Sequence, residues 1–293
     1  SFELPYVGAY LDSLGTNFSC GKLCNIGSTI IPPTSPFYLG VQYTQFKGFK
    51  PKTQFIRNQE YFSKALYTFD IGQNDLTGGI FRNTSVQQVT ASIPHLVNSF
   101  TSNINNIYNL GARSFWIHNT GPIGCLPIIL ASFLSTEKDS YGCAKAYNEM
   151  AQNFNQNLKE ALAQLGKDLP LAAITYVDIY SAKYSLFSNP NQNELITFLS
   201  SNLCTMRFEF PDVACCGHGG KYNFNHFDGC GGTLKVNGTD VVVGSCKRPS
   251  GRVILDGTHY TEAANKVVFD LISSGSFSDP PIPLKMACNR NST

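Results

Sequence analysis

The sequence is short of charge. Only 14% of its 293 residues are Asp, Glu, Lys or Arg, against about 25% in an average soluble domain. With 12% aromatic residues as well, it is excluded from the disordered class, which needs high charge and few aromatics. Neither sign is in surplus: 22 basic residues face 20 acidic ones, for a net charge of +2. No basic excess exists to neutralise phosphates, so no nucleic-acid partner is expected. Apolar runs of membrane length are missing too. The longest, 126–134, contains Pro127 and falls far short of the about 20 residues a span requires. There is no Cys-x-x-Cys, no Gly-x-Ser-x-Gly, no Gly-Asp-Ser, and no repeat or low-complexity tract. Those gaps remove the usual redox and zinc spacings and the nucleophile elbow of α/β-hydrolases.

Cysteine, by contrast, is plentiful: ten residues. The nearest thing to a metal cluster is Cys215, Cys216 and His218, but adjacent cysteines do not easily share one tetrahedral ion with a histidine two residues on. No metal and no cofactor are expected. Disulfides formed in an oxidising compartment are the better reading. Four acceptor triplets for N-glycosylation agree with it, at Asn17, Asn83, Asn237 and Asn291. The chain is thus expected to be secreted. It opens at Ser1 with no initiator Met and no signal peptide, so the expectation is a processed product or a missing beginning.

The length suits one large domain or two small ones, and the pattern favours a single domain over 1–293. Ala65–Asp70 reads as a buried strand followed by a polar turn at Gly72–Asp75. Apolar residues at 93, 96, 97, 100, 104, 107 and 108 make one helical face from Val89 to Leu110, with Gly111 placed to stop it. Ser114–His118 is the next strand. A second long helix covers about 144–165, with Gly166 as its expected end. Ala172–Ile179 reads as a strand, Arg252–Leu255 as a last short strand, and Thr261–Ile272 as a last helix. Between about 187 and 247 the pattern dissolves into Gly, Asn, Cys and aromatics, as in a disulfide-tied excursion. Strands alternating with long helices imply an α/β fold with a mainly parallel sheet.

Ligands of such sheets bind beyond the carboxyl ends of the strands. Two polar turns fall there: Asp70 to Asp75, and Asp256-Gly-Thr-His259. An Asp three residues before a His can hold the imidazole Nδ1, fix its tautomer and stabilise an imidazolium. An Asn side chain nearby can donate to an oxyanion. The same residues have plain structural uses. Asx residues after a strand make turns, and Asp256, Thr258 or Thr261 could each cap the last helix.

Several segments together carry a resemblance: Ser35-Pro-Phe-Tyr-Leu39, Lys64 to Asp75, Leu110-Gly-Ala-Arg113, Asn119-Thr-Gly-Pro-Ile-Gly-Cys-Leu-Pro127, Cys215-Cys-Gly217, Gly219 to Asn223, and Asp256 to Asn265. Over essentially its whole length the chain resembles the plant GDSL esterase/lipase family of the SGNH hydrolases. Within it, the chain is similar to the subgroup of latex-allergen and early-nodulin-like esterases, some of whose members are described as α-fucosidases. The resemblance implies a three-layer α/β/α sandwich, and no cofactor. It implies Asp256 and His259 as the base pair, and Gly27 and Asn74 in the oxyanion hole. It also implies a disulfide between Cys125 and Cys143. The substrate it implies is a small acyl ester or acylated glycan.

The chain departs from the family in two ways. The family's Gly-Asp-Ser nucleophile block is missing, and with it the first strand, so no nucleophile is assigned. Ser13, in Leu11-Asp-Ser-Leu-Gly15, stands too close to the second block to serve. The strand before Gly27 is one residue short, which reverses its faces. A secreted ester hydrolase, inactive without its serine, is the leading expectation. A non-catalytic binding protein and a glycosidase acting on cell-wall sugars are the alternatives; the latter needs two carboxylates flanking a sugar.

Overall fold

The computed structural model of the chain describes residues 28–53, 60–190, 208–227 and 229–287. Gly27, Asn17, Asn291 and Ser13 lie outside them, as do Cys20, Cys24, Cys204 and Cys288. Helices α1 (Leu39–Thr53) and α2 (Glu60–Lys64) precede β1 (Leu66–Phe69), α3 (Gln73–Phe81) and α4 (Val86–Asn109). Then come β2 (Ser114–His118), α5 (Pro127–Ser132), α6 (Lys145–Asp168), β3 (Ala173–Val177) and α7 (Ile179–Ser188). A small ribbon of β4 (Thr233–Val236) and β5 (Thr239–Val242) precedes α8 (Glu262–Ser273) and β6 (Ser278–Asp279).

The main sheet runs β1-β2-β3-β6 among the described residues. β1, β2 and β3 are parallel, with Leu66 opposite Ser114 and Ser114 opposite Ala173; β6 is antiparallel to β3. Ser114 to Ile117 are all buried, so both faces of β2 are covered, as parallel sheets require. Helices α4 and α6 pack on each other, and α7 on α8. The result is the expected α/β sandwich. At the sheet's edge, β1 is only half-buried, and Thr68 is exposed.

Local chemistry explains the long helices. Ser85 and Gln88 form a reciprocal capping box at the start of α4. Gly111, at φ 108°, closes it: its N–H reaches Tyr108 O and that of Ala112 reaches Ile107 O. This is a Schellman ending. The matching expectation for Gly166 is corrected. Helix α6 runs through it to Asp168, and Gly166 has no left-handed φ. Pro170 is the stop, since a residue before proline avoids helical geometry.

Two further expectations change. Ile179 begins α7 rather than ending β3, so the irregular excursion starts after Ser188. Arg252–Leu255 is not a strand; a single bridge joins Ile254 to Tyr260. Within the excursion, Cys215 bonds Cys246 and Cys216 bonds Cys230. Cys125 bonds Cys143. Asn83 and Asn237 are both exposed. Asn237 and Gly238, at φ 49° and 83°, make the two-residue turn of the β4–β5 ribbon.

Buried asparagines shape the loop after β2. Asn155 accepts from Thr120 N and donates to Thr120 O, both at 2.8 Å. Asn148 accepts from Gly124 N at 2.9 Å. Gly124 must be glycine: a Cβ there would stand 2.2 Å from the carbonyl oxygen of Ala144. Asn119 ties β2 to β3 and α7, donating to Tyr176 and Asp178 and accepting from Tyr180 N.

Candidate active site

The loop from Ile254 to Tyr260 is pinched at its base. Leu255 N donates to His259 O at 2.7 Å, and Thr261 N to Val253 O at 2.9 Å. Inside it, Asp256 uses one carboxylate oxygen for the backbone: Oδ1 accepts from Thr258 N at 2.7 Å and from His259 N at 2.8 Å. That is the Asx turn expected of an aspartate after an extended segment. The other oxygen, Oδ2, lies 2.8 Å from His259 Nδ1. The helix cap falls to Thr261, whose Oγ1 accepts from Ala264 N. Asp256 is thus free of capping duty.

The pair has the electrostatics of a matched acid and base. Burial pushes the Asp256 carboxyl up, but the hydrogen bond from His259 and the two backbone N–H groups outweigh it and bring it down to about 2. The Asp256 carboxylate raises the basicity of His259 above its ordinary value. The Asp256 side chain is 27% exposed and that of His259 70%. The imidazole therefore stands in solvent with Nδ1 anchored. Its Nε2 makes no hydrogen bond among the described residues, and Thr258 Oγ1, 3.3 Å away, lies on the Nδ1 side.

Asn74 sits on a helix, not in a turn. Gly72, at φ 119°, turns the chain sharply out of β1, and α3 begins at the next residue. Asn74 Nδ2 donates to Ser28 O at 3.1 Å, which leaves its second N–H for a ligand. Asp75 was legible only as part of a polar cluster, yet it anchors this region. Both of its oxygens accept from Ile30 N, at 3.0 and 2.9 Å, and Oδ1 also accepts from Ile31 N. Burial pushes its carboxyl up to about 6 against these donors. Asp75 thereby ties residues 30 and 31 to α3. No hydrogen bond joins Asn74 to His259.

A second polar group at the carboxyl ends of β1 and β2 went unread in the sequence. Trp116 Nε1 donates to His118 Nε2 at 3.1 Å, so the neutral ring carries its proton on Nδ1. That atom points at Asp70 Oδ2 from 3.6 Å, too far for a hydrogen bond. Desolvation opposes the charge of Asp70, although its side chain is 62% exposed, and His118 and the Lys183 ammonium hold the carboxyl below the usual carboxylate range. Burial and the Asp70 charge both push the hydroxyl of Tyr260, next to His259, well above its ordinary value. The Lys183 ammonium lies 4.9 Å from the centre of the Tyr260 ring. Nothing but the spatial fold could have joined positions 70, 118, 183 and 260.

An Asp fixed on a His Nδ1 is an arrangement that acyl transfer uses. The GDSL-like lipase/acylhydrolase family matches residues 7–272. The chain belongs to this family. An esterase of Hevea brasiliensis is 56% identical over 99% of the chain and 76% of its own length. The GDSL esterase/lipase ENOD8 of Medicago truncatula is 56% identical over 99% of the chain and 77% of its own length. A protein of Arabidopsis thaliana named alpha-L-fucosidase 3 is 43% identical over 99% of the chain and 78% of its own length. As a member of the GDSL lipase/acylhydrolase family, the chain is classed with hydrolases of ester bonds.

Proposed function

We propose that the protein is a secreted ester hydrolase in which His259 is the general base, Asp256 its orienting carboxylate, and Asn74 and Gly27 donors to the oxyanion. The observation that carries this reading is the 2.8 Å contact between His259 Nδ1 and Asp256 Oδ2, which leaves Nε2 facing solvent. In the reaction, Nε2 takes the proton of an attacking hydroxyl. The Asp256 carboxylate stabilises the imidazolium that forms, and the Asn74 N–H meets the charge that develops on the carbonyl oxygen. Nε2 then returns the proton to the leaving alcohol. The substrate is a small acyl ester or an acylated glycan. The three disulfides among the described residues and exposed Asn83 and Asn237 support passage through an oxidising, glycosylating compartment.

The 293 residues include no Gly-Asp-Ser, and no described serine reaches His259 Nε2. Base and oxyanion donor are thus supplied without that nucleophile, and the residues by themselves are expected to turn over no ester. The test is to join an upstream segment carrying a Gly-Asp-Ser turn and measure aryl-acetate hydrolysis. Turnover in the extended protein that His259→Ala lowers by about 10²–10⁴-fold supports the reading. Turnover indifferent to His259→Ala overturns it.

Glycoside cleavage fits less well. It needs a carboxylic acid kept protonated to donate to the leaving oxygen. Asp70 and Asp256 are both held low, and Asp75, which is raised, is turned inward onto the amides of Ile30 and Ile31. Assay of the extended protein on an aryl fucoside tests this alternative.

A further inference from the structure

The residue that follows His259 is held far more firmly than His259 itself. Tyr260 turns inward and is 8% exposed, while the His259 side chain turns outward and is 70% exposed. The two are chain neighbours, so the seating of the Tyr260 ring bears on the direction of the imidazole. Backbone contacts fix only the base of that ring. Tyr260 bridges to Ile254, and its carbonyl accepts from Asn265 Nδ2 at 3.3 Å.

The ring itself is gripped by one helix. Lys183 and Phe187 stand four residues apart on α7, on one face. The Lys183 ammonium lies over the Tyr260 ring, 4.9 Å from its centre. The buried Phe187 ring meets the same ring edge-on, with centres 6.4 Å apart. Phe187 supplies packing, and Lys183 supplies an attraction to the ring face. Lys183 is built in from the other side as well. Its stem crosses Gly121, in the loop after β2, so closely that a Cβ there would stand 2.9 Å from Lys183 Cδ. Its ammonium makes no hydrogen bond and no ion pair among the described residues, while Asp70, at the end of β1, attracts it through space. This half-buried cation thus connects the loops after β1 and β2 with the loop that carries the base.

We propose that Lys183 is a positioning residue for His259: its ammonium seats the Tyr260 ring, and the seated ring keeps Nδ1 of the imidazole on Asp256. The proposal rests on the reading of His259 as the base, and it adds a residue that acts only through Tyr260. What the grip protects is the tautomer. Neutral Nε2 accepts a proton only while Nδ1 carries its own, and the 2.8 Å contact with Asp256 Oδ2 favours that form.

The chain as it stands tests this without turnover. The ring-nitrogen NMR signals of His259, assigned through His259→Ala, report which nitrogen holds the proton in the neutral ring. Lys183→Met keeps a stem over Gly121 and removes the charge. In this variant the Nδ1–H share should fall toward that of a free histidine, and the Tyr260 ring signals should shift. Lys183→Arg should retain both. Tyr260→Leu should reproduce the loss, and adding Lys183→Met to it should change nothing more. The titration of His259 supplies a sign. Deleting a nearby cation by itself raises a histidine's value, whereas a loosened contact with Asp256 lowers it. A fall in Lys183→Met is expected, with Asp70, His118 and Tyr180, the other titrating groups around Tyr260 and Asp70, left in place. Lys159→Met removes a similar cation from the ring of Tyr176, 5.6 Å from its centre, and should leave His259 unchanged.

In the protein extended with a Gly-Asp-Ser segment, Lys183→Met should lower kcat by up to about 10²-fold with KM unchanged. Ring-nitrogen signals unmoved in Lys183→Met, a histidine value that rises, or a loss that persists in Lys183→Arg would overturn the positioning role. Turnover indifferent to His259→Ala would overturn the base assignment instead. The two failures therefore appear in different measurements.

Discussion

The backbone N–H of Ile128 donates to the carbonyl of Gly257 at 3.0 Å. This bond fastens the loop of Asp256 and His259 to the first turn of α5, far away in sequence. The same glycine lies buried under the Phe224 ring. The base loop is therefore positioned on one side by a helix end and on the other by an aromatic side chain. Gly257→Ala would drive a methyl into that ring. We expect a loss of about 1–3 kcal/mol from overpacking, read in chemical denaturation. The His259 ring signals should shift in the same variant. Unchanged stability and unchanged His259 signals would mean that the ring moves aside freely and positions nothing.

Asp75 gives a second test. Its two oxygens both accept from backbone N–H groups, so Asp75→Asn keeps the shape but turns one acceptor into a donor facing Ile30 N. A buried polar group left unpaired costs about 1–3 kcal/mol. The expected result is that loss of stability, together with faster amide exchange at Ile30 and Ile31. Slow exchange retained at both amides would show that another contact holds this segment.

The strong periodicities were legible in the sequence. β2, α4, α6 and α8 each bury the apolar residues that mark them, and the three-residue step from Asp256 to His259 was enough to suggest their contact. Helix α3 was not legible. Gly72, Gly78 and Gly79 are poor helix formers, and its start reads as a turn; tertiary contacts through Asp75 and Thr34 override that preference. Arg252–Leu255 misleads in the opposite way. It is apolar like a strand, but its backbone partners are single residues, with Ile254 O and Leu255 O accepting from Cys215 N and Cys216 N. Asn237-Gly238 was read as a glycosylation acceptor, although the dipeptide is also a strong hairpin signal.

The Cys125–Cys143 bond closes the loop that Asn148 and Asn155 clamp from α6. With a separation of 18 residues, the chain-entropy account assigns it about 3 kcal/mol. Replacing both cysteines by alanine should lower the denaturation midpoint by that amount. Most of the fold should survive, because the asparagine clamps remain. A change below about 0.5 kcal/mol would indicate that the clamps alone order the loop in the unfolded reference as well.

The last prediction concerns pH. His259 is raised above its ordinary value by Asp256, so its contact with the carboxylate contributes stability in full below the unfolded histidine value of about 6.5. That contribution is lost as pH rises through the higher folded value. Asp256, drawn down to about 2, contributes above the unfolded aspartate value of about 3.9 and loses its contribution as pH falls toward 2. The pair is therefore fully formed and charged between about pH 4 and pH 6.5. Catalysis needs the opposite state of the ring, since only neutral Nε2 can accept a proton. Hydrolysis in the protein extended with a Gly-Asp-Ser segment should rise with pH through the raised histidine value and level off above it. In Asp256→Asn the histidine titration, followed by its ring protons in NMR, should move back toward 6.5 or below, and the pH–rate limb should move with it. The plateau should fall as well, because an amide no longer fixes the tautomer with Nδ1 protonated. A histidine titration unmoved by Asp256→Asn would show that the 2.8 Å contact does not form in solution, and would remove the basis for assigning His259 as the base.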